Sequence, residues 1–408
     1  MRVIVVGAGI GGLVLAQGLK AAGVAVTVHE RDRALSDTGG YRLHLTPEAA
    51  GVLRRRLPPP VFQALLASST GSRSLRQFGV LDHRLRTVAR IPLEDDGEHL
   101  MIGRIPLRRL LGHGLGESIR FGSEFTGLEH HPDGTVTAVF ADGTRETGDV
   151  LVGADGARSR VVTALTGRPT ARLLAAHGLA GRAPLDDAVR SGMPDALHRG
   201  PAFAVAPDGV AVFLTLHDPS TAPVAPLACR EVGPILEPGY VLWGVVVPAG
   251  TATATSDVNG PSVLASARHL LRDFAPWTRT LLDRSDPAHA TRFPYYAADP
   301  DADLTPWQVG AVTALGDAVH AMPPTGGRGA STAVVDADVL IDHLTRSGST
   351  SIPLALHDFQ RAMARHAPPA LRESLQPLLW QQRTSGRLGR VFLRTALAVA
   401  GTVGSARR

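Results

Sequence analysis

The chain begins with Arg2-Val3-Ile4-Val5-Val6, followed directly by Gly7-Ala8-Gly9-Ile10-Gly11-Gly12, and this stretch decides the fold. The first five residues are mostly β-branched and are closed by glycine, which predicts a buried parallel strand. The glycines satisfy G-x-G-x-x-G between that strand and a helix predicted over residues 11–22. Gly7 permits a tight turn, Gly9 lets a pyrophosphate approach the backbone, and Gly12 allows close helix–strand packing. The turn therefore predicts a Rossmann-type dinucleotide site, with the free N–H groups of the helix start facing the anion.

A carboxylate stands where such a site contacts the ribose. A second strand is predicted over residues 24–29, and Glu30 follows it, 18 residues after Gly12. A carboxylate there accepts hydrogen bonds from both ribose hydroxyls and repels a 2′-phosphate, which favours a free 2′-hydroxyl. Arg31 is adjacent and can screen a phosphate. Because the βαβ unit is of minimal size, its two strands should be neighbours with a right-handed crossover.

The composition excludes several classes of protein. Of the 408 residues, 44% are hydrophobic and 19% are charged, which fits an ordered globular protein rather than a disordered one. Cys229 is the single cysteine, so an internal disulfide and a multi-cysteine zinc site are excluded, and we expect no metal. No segment has the pattern of a secretory signal or a bilayer-spanning helix. We therefore expect a cytoplasmic protein without stable membrane insertion.

Arginine carries the basic charge of the chain. The net charge is +5 and the pI about 10.0, although Lys20 is the only lysine. The run Arg54-Arg55-Arg56 invites comparison with a nucleic-acid-binding face. No RNA- or DNA-binding motif accompanies it, and aromatic residues make up 5% of the chain. We expect a solvated surface and no nucleic-acid partner.

The later part of the chain predicts a second layer. Between residues 169 and 294, apolar segments separated by Pro, Gly and Asp turns indicate an antiparallel sheet, with strands at 203–205, 210–216 and 240–247. Further buried strands are predicted at 150–152 and 309–315, and a hairpin strand at 136–140. Helices are predicted at 104–115, 330–345, 354–365, 370–382 and 387–403.

Two further glycine-rich segments follow predicted strands. They are Gly153-Ala154-Asp155-Gly156-Ala157-Arg158-Ser159 and Ala314-Leu315-Gly316-Asp317-Ala318-Val319-His320-Ala321-Met322-Pro323-Pro324-Thr325-Gly326-Gly327-Arg328-Gly329-Ala330. With the first turn, and in the same order, they resemble the three fingerprints of the group A flavoprotein monooxygenases, the para-hydroxybenzoate hydroxylase-like family. Ile102-Gly103-Arg104-Ile105-Pro106-Leu107 is similar to the family's arginine–leucine segment. The resemblance extends from Met1 to about Leu344.

The resemblance implies an α/β fold with a Rossmann-type FAD-binding domain, in which helices cover a parallel sheet. A β-sheet substrate domain and C-terminal helices complete the expected architecture. The FAD-binding domain is expected to comprise residues 1–70, 100–168 and 296–372. Residues 71–99 and 169–295 are expected to form the substrate domain, and residues 373–408 a C-terminal helical segment.

The family pattern also implies roles for individual residues. Asp317 is expected to bind the ribityl hydroxyls of FAD, Asp155 to support the pyrophosphate and the pyridine nucleotide, and Arg104 to contact the phosphate–ribityl portion. The helix near Ala330 should direct N–H groups at the flavin N1–O2 edge, where reduced flavin carries negative charge. Ser331 stands near the position of an asparagine in many relatives. The expected cofactor-binding residues are Gly7, Gly9, Ile10, Gly11, Gly12, Glu30, Arg31, Arg42, Arg104, Asp155, Gly316, Asp317, Pro323, Gly327, Gly329, Ala330 and Ser331.

The activity implied by the resemblance is oxygenation of a small molecule. In the family, NAD(P)H reduces FAD without a second Rossmann domain, and O2 adds to flavin C4a to give a hydroperoxide that oxygenates an aromatic or polyketide-like substrate. This chain has no second G-x-G-x-x-G after a strand. His44 and His217 are candidate bases for phenol hydroxylation. Such an enzyme is expected to be a monomer or homodimer. Candidates for an apolar roof over the flavin are Phe203, Phe213, Leu216, Trp243 and Val245.

Three alternatives share the same FAD half. A flavin-dependent halogenase carries W-x-W-x-I-P and a catalytic lysine, whereas this chain has Trp243-Gly244-Val245-Val246-Val247-Pro248 and places Lys20 on the first helix, away from any substrate. Halogenation is therefore disfavoured. An oxidase or dehydrogenase without oxygen insertion, and a non-redox flavoprotein that uses FAD as a scaffold, remain open at this point.

Overall fold

The computed structural model of the chain describes residues 1–39, 42–93, 97–247, 260–346 and 351–385, with the backbone alone for residues 380–385. The helix predicted over residues 387–403 therefore lies outside the described residues, as does Pro248 of the tryptophan segment. In chain order, the strands are β1 (Arg2–Val6), β2 (Ala25–Glu30), β3 (Arg42–Leu45), β4 (Gln77–Asp82), β5 (Thr87–Pro92), β6 (Leu100–Gly103), β7 (Ile119–Phe121), β8 (Phe125–His130), β9 (Val136–Phe140), β10 (Arg145–Gly148), β11 (Val150–Gly153), β12 (Arg172–Pro184), β13 (Ala202–Val205), β14 (Ala211–His217), β15 (Tyr240–Val247), β16 (Thr291–Ala297) and β17 (Val312–Ala314).

The helices connect and cover these strands. They are α1 (Ile10–Ala21), α2 (Pro47–Arg56), α3 (Pro59–Ala67), α4 (Arg104–Leu111), α5 (Arg160–Thr166), α6 (Asp187–Arg190), α7 (Gly260–Leu270), α8 (Pro276–Asp283), α9 (Asp317–His320), α10 (Gly329–Thr345) and α11 (Ile352–Ser385). No helix in these described ranges is long and apolar enough to cross a membrane.

The first sheet is parallel and has the strand order β17-β11-β1-β2-β7. In this sheet β1 lies between β2 and β11, so that Val3 pairs with both Val26 and Val150. The neighbouring β1 and β2 confirm the predicted βαβ unit. Side chains from β1 and α1 are fully buried, among them Val5 and Leu13. The carboxyl ends of β1, β11 and β17 therefore meet at one edge of the sheet, where parallel α/β sheets bind ligands.

The second large sheet has seven strands in the order β16-β12-β15-β14-β13-β4-β5, antiparallel except for the parallel pair β4 and β13. Helices α7 and α8 cover one of its faces, where Trp243 and Val245 pack with Leu264 and Leu281. These two helices were not predicted. The second layer of the fold is thus a sheet with its own core, as the apolar alternation predicted. The expected division into numbered domains stays a prediction.

The prediction of two separate helices at 354–365 and 370–382 was wrong. The structure has one helix, α11, which contains Pro368, Pro369 and Pro377. Proline removes one helical hydrogen bond but keeps a φ compatible with helix, so a well-packed helix can continue through it. Phe359 and Leu371, before and after the prolines, are both fully buried. This packing outweighs the local helix-breaking tendency.

The arginine run lies at the end of α2. Arg55 contacts Asp338 of α10 at 2.8 Å, and Arg56 contacts Asp338 at 2.5 Å as well as Asp342. Two of the three consecutive arginines are therefore engaged in ion pairs within the fold.

Candidate active site

A cleft of about 560 Å³ opens where the carboxyl ends of β1, β11 and β17 meet. All three glycine-rich segments contribute to its walls. Every expected cofactor-binding residue except Ser331 lines this cleft: Gly7, Gly9, Ile10, Gly11, Gly12, Glu30, Arg31, Arg42, Arg104, Asp155, Gly316, Asp317, Pro323, Gly327, Gly329 and Ala330. The fold therefore assembles one site from distant parts of the chain.

Gly7 and Gly12 of the first glycine turn tolerate no side chain. Gly7 has a φ of +108°, and a Cβ there would lie 2.4 Å from the carbonyl oxygen of Ala154. A Cβ on Gly12 would lie 2.1 Å from the carbonyl oxygen of Gly7. Helix α1 begins at Ile10 after Gly9, and no described side chain caps it. Its first N–H groups are therefore available to an anion in the cleft.

Glu30, at the end of β2, holds this turn in place. One of its oxygens accepts the Ala8 N–H at 2.8 Å, and the other accepts the Asp32 N–H at 3.0 Å. The carboxylate is 7% exposed and faces the cleft. Arg31 lies beside it with its side chain 66% exposed. Since a carboxylate has about four acceptor positions, Glu30 can hold the turn and still accept a ligand hydroxyl.

Arg108 is a site residue that the sequence prediction missed. It lies on α4, is 2% exposed, and donates from Nε to the carbonyl oxygen of Ala8 at 3.0 Å. Its guanidinium also contacts Glu30 at 3.2 Å and Asp32 at 3.4 Å. The available signal was the spacing to Arg104, because residues four apart share one face of a helix. One face of α4 thus directs two arginines toward the nucleotide end of the cleft.

Asp155 begins the α5 segment. Its carboxylate accepts the Ser159 hydroxyl at 2.6 Å and the N–H groups of Arg160 at 2.7 Å and Val161 at 3.2 Å. Burial raises the pKa of Asp155 above its ordinary value, although these hydrogen bonds lower it in part. Asp155 therefore caps a helix start and lines the cleft at the same time.

The third segment carries Asp317 into the cleft. Gly316, with a φ of +62°, turns the chain after β17 so that Asp317 opens α9. Burial raises the pKa of Asp317, while the nearby charges of His320 and Arg104 lower it in part. Helix α10 begins at Gly329, and no side chain in the described structure caps its first turn. The cleft thus has a second open helix start besides that of α1.

Helix α11 supports the loop before α10. The Thr325 hydroxyl donates to the carbonyl oxygen of Ser374 at 2.6 Å, and a Cβ on Gly326 would lie 2.6 Å from the Ser374 Cα. Arg328 pairs with Glu373 of the same helix at 3.3 Å. The loop that lines the cleft at Pro323 and Gly327 therefore packs against α11 on its side away from the cleft.

Ser331 lies behind the cleft wall. Its hydroxyl donates to the carbonyl oxygen of His44 at 3.1 Å and accepts the Thr46 N–H at 3.0 Å, and the residue is 3% exposed. Ser331 therefore links α10 to the chain around β3, and its expected contact with the cofactor stays a prediction. Arg42, at the start of β3, is 7% exposed and donates to the Thr70 hydroxyl and the Met101 carbonyl, each at 2.8 Å.

The two candidate bases occupy different places. His44 lines the cleft, and its Nε2 lies 3.1 Å from Nδ1 of His99. Burial, followed by the influence of His99 and Arg328, lowers the pKa of His44 to about 4. His217 is 4% exposed, lies outside the cleft lining, and contacts the carbonyl oxygen of Glu237 at 3.3 Å. Of the two, only His44 is placed to touch a ligand in the cleft.

The residues expected to form an apolar roof over the flavin lie on two different faces of the seven-stranded sheet. Trp243 and Val245 belong to the sheet face covered by α7 and α8, and the indole N–H of Trp243 donates to Ser285 at 2.8 Å. Phe203 and Phe213 lie on the opposite face, with ring centroids 5.4 Å apart. The aromatic residues that line the cleft itself are Phe125, Phe293, Tyr295 and Tyr296. The last three lie on β16, and no motif in the sequence marked that strand as part of the site.

The cleft fits FAD in its chemistry. The N–H groups at the two open helix starts can donate hydrogen bonds to a pyrophosphate and to an electron-rich ring edge. The carboxylates of Glu30 and Asp317 can accept hydrogen bonds from hydroxyl groups. The glycine turn leaves space that a Cβ would fill. In this site, α1 and Glu30 would hold the adenosine diphosphate, and Asp317 and α10 would hold the ribityl chain and the flavin.

Comparison with known proteins agrees with this geometry. A family model described as FAD binding domain matches residues 1–177 and 297–358. The chain belongs to the group A FAD-dependent monooxygenase family. The matched residues contain all three glycine-rich segments and omit most of the seven-stranded sheet.

Curated members of this monooxygenase family resemble the chain over most of its length. It is 30% identical over 393 residues to the dual O-methyltransferase/FAD-dependent monooxygenase CTB3 of Cercospora beticola. That match covers 90% of this chain but 44% of the relative, so the chain spans less than half of that longer protein. It is 29% identical to 3-amino-4-hydroxybenzoate 2-monooxygenase PtnB3 of Streptomyces platensis, covering 84% of this chain and 79% of the relative.

A solved member of the family has the same overall fold. A putative FAD containing monooxygenase from Photorhabdus luminescens superimposes with a TM-score of 0.77 and 26% identity. The superposition covers 97% of this chain and 98% of the other. The seven-stranded sheet, most of which lies outside the residues that the family model matches, is therefore part of an architecture that this relative shares.

Proposed function

We propose that the protein is an FAD-dependent monooxygenase that uses NAD(P)H and O2 to oxygenate an aromatic or polyketide-like small molecule. One observation carries the proposal: two open helix starts and the carboxylates of Glu30 and Asp317 line a single cleft. The printed names of relatives support the reaction class, since several are FAD-dependent monooxygenases. The proposal includes the domain division given above and a monomer or homodimer.

FAD, when bound, supplies the hydride and oxygen chemistry. The residues of the chain bind and orient it. The N–H groups at the start of α1 hold the pyrophosphate, Glu30 accepts the ribose hydroxyls, and Asp317 accepts the ribityl hydroxyls. The start of α10 directs N–H groups toward the ring edge that becomes negative on reduction, which stabilises the reduced form.

The nicotinamide cofactor is proposed to bind at the mouth of the same cleft. Arg31 and Arg158 line the cleft and are exposed, so they offer positive charge to phosphate groups. Asp155 lies between this mouth and the glycine turn. Such an arrangement lets NAD(P)H reach FAD bound in the same cleft, in keeping with the single G-x-G-x-x-G of the chain.

The substrate is proposed to be a planar, electron-rich ring system. Phe293, Tyr295 and Tyr296 supply an aromatic wall, and His44 supplies a neutral imidazole at neutral pH. A neutral ring nitrogen can accept the proton of a phenol as the ring is oxygenated. Relatives named for 3-amino-4-hydroxybenzoate and for urate support a compact ring of this kind.

The test begins with the purified protein. We expect a yellow protein with a flavin absorption spectrum, whose colour bleaches on anaerobic addition of NADH or NADPH, faster when a substrate is present. Candidate aromatics are then screened with isotopically labelled O2, and mass spectrometry should find one labelled oxygen in the product. Peroxide without labelled product would indicate an oxidase instead. A flavin that neither nicotinamide reduces would indicate a non-redox role.

A further inference from the structure

A buried carboxylate lies directly behind the third glycine-rich segment. Asp336 of α10 is fully buried, and one of its oxygens accepts the Gly316 N–H at 2.8 Å and the His320 Nε2–H at 2.6 Å. Its other oxygen lies 2.6 Å from Nε2 of His366 on α11. One side chain thus joins the turn after β17, the end of α9 and the middle of α11. Of the four residues in this cluster, Gly316 lines the cleft, whereas His320, Asp336 and His366 lie outside its lining.

The charges within this cluster reinforce one another. Burial alone raises the pKa of Asp336, but His320 and His366 outweigh burial and hold that pKa well below its usual range. Burial lowers the pKa of His320, but the charge and hydrogen bond of Asp336 outweigh it and raise that pKa. The cluster therefore places an imidazolium and a carboxylate behind Asp317. Removing one member would leave a buried charge without its partner, which is costly.

The turn that the cluster holds is the one that directs Asp317. Gly316 has a φ of +62°, and its N–H is fixed by Asp336. The following residue, Asp317, faces the cleft. His366 has a side-chain exposure of 28%, whereas His320 and Asp336 are fully buried. His366 is therefore the most exposed of these three residues.

We propose that His366 is a positioning residue, which acts through Asp336 on the Gly316–Asp317 turn and so sets how tightly the protein holds FAD. The inference rests on the proposed function, in which Asp317 binds FAD. The hydrogen bond between His366 and Asp336 fixes that carboxylate, whose other oxygen accepts the Gly316 N–H and so holds the turn that presents Asp317 to the ribityl hydroxyls. FAD retention is thereby coupled to a side chain of α11 that lies outside the cleft lining.

The experiment compares three variants of the full chain. His366→Leu removes the hydrogen bond to Asp336, His366→Gln keeps a donor, and His357→Leu makes the same change elsewhere on α11. The dissociation constant of FAD is measured by flavin fluorescence at neutral pH. We expect His366→Leu to weaken binding about tenfold, and His357→Leu to bind as the wild type does. His366→Gln should recover most of the affinity, because its amide can donate a hydrogen bond to Asp336.

Two results would overturn the inference. One is a His366→Leu protein that binds FAD as tightly as His357→Leu does. The other is a His366→Gln protein that binds FAD as weakly as His366→Leu does, because the restored donor would then have no effect on the turn. Failure of the proposed function looks different, since the wild-type protein would then bind no FAD at any pH.

Discussion

The guanidinium of Arg108 lies 3.2 Å from the carboxylate of Glu30, and both side chains are more than nine-tenths buried. The same arginine also donates to the carbonyl oxygen of Ala8, whose N–H the glutamate accepts. The two residues therefore hold both backbone polar groups of Ala8 in the glycine turn. Their ion pair fixes the geometry that an anion at the start of α1 requires.

Replacing Arg108 should be costly for this reason. Arg108→Met leaves the Glu30 carboxylate buried without its cation, and we expect the free energy of unfolding to fall by about 3 kcal/mol or more. FAD content should fall with it. Urea denaturation and the flavin-to-protein absorbance ratio measure the two effects. Arg109→Met is the matched control, because Arg109 is exposed on the same helix. Equal effects of both variants would contradict the role of Arg108.

The glycine turn gives a second prediction. Gly12→Ala places a Cβ 2.1 Å from the carbonyl oxygen of Gly7, so the turn must open and FAD should be lost on purification. Gly51→Ala is the control, since a Cβ in that position of α2 meets nothing closer than 3.7 Å. It should keep its flavin and gain up to about 1 kcal/mol of stability from better helix propensity. A flavin-loaded Gly12→Ala protein would show that the turn does not contact the nucleotide closely.

The burial of Asp317 should make the affinity for FAD depend on pH. Burial raises the pKa of this carboxyl, so it takes up a proton at a higher pH than an ordinary aspartate does. The protonated form accepts hydrogen bonds from ribityl hydroxyls less well, and FAD affinity should fall as pH is lowered through the raised pKa. Asp317→Asn should bind about tenfold or more weakly at neutral pH and lose this acid dependence. Flavin fluorescence titrations measure both, with Asp195→Asn, an exposed residue of the sheet layer, as control.

The candidate bases can be separated by substitution. His44→Asn should lower kcat by about a hundredfold or more if His44 accepts a substrate proton, while FAD content stays unchanged. Because the pKa of His44 is about 4, the wild-type rate should be independent of its protonation near neutral pH and fall only as pH approaches 4. His217→Asn should leave kcat close to the wild-type value, since His217 lies outside the cleft lining. Steady-state kinetics with a confirmed substrate would decide, and a larger loss in His217→Asn would reverse the assignment.

The sequence predicted the nucleotide end of the site because local steric rules act there. Gly7 and Gly12 are required by contacts within a few residues or with an adjacent strand, and Glu30 is placed by the length of one helix and one strand. Arg108 escaped prediction because its partners are 76 to 100 residues away in the chain. The local pattern offers only its four-residue spacing from Arg104, which exposed Arg109 lacks.

The sequence was least informative where packing decides the outcome. The prolines of α11 suggested a break, but burial of Phe359 and Leu371 keeps the helix continuous. Ser331 was expected to bind the cofactor because it stands near the position of an asparagine in many relatives, and that role stays a prediction. The structure shows its hydroxyl hydrogen-bonded to the backbone of His44 and Thr46. Contacts of this kind join segments far apart in the chain, which no short motif encodes.

The support that α11 gives to the Thr325–Gly326 loop has a consequence for biosynthesis. The glycine turn and Glu30 are synthesised first. The Thr325–Gly326 loop gains its support only after Ser374 and its neighbours have left the ribosomal exit tunnel. A nascent chain that ends before α11 would expose an unsupported loop to solvent. Flavin loading should therefore be a late event in the production of this protein, after nearly all of the described chain has been translated.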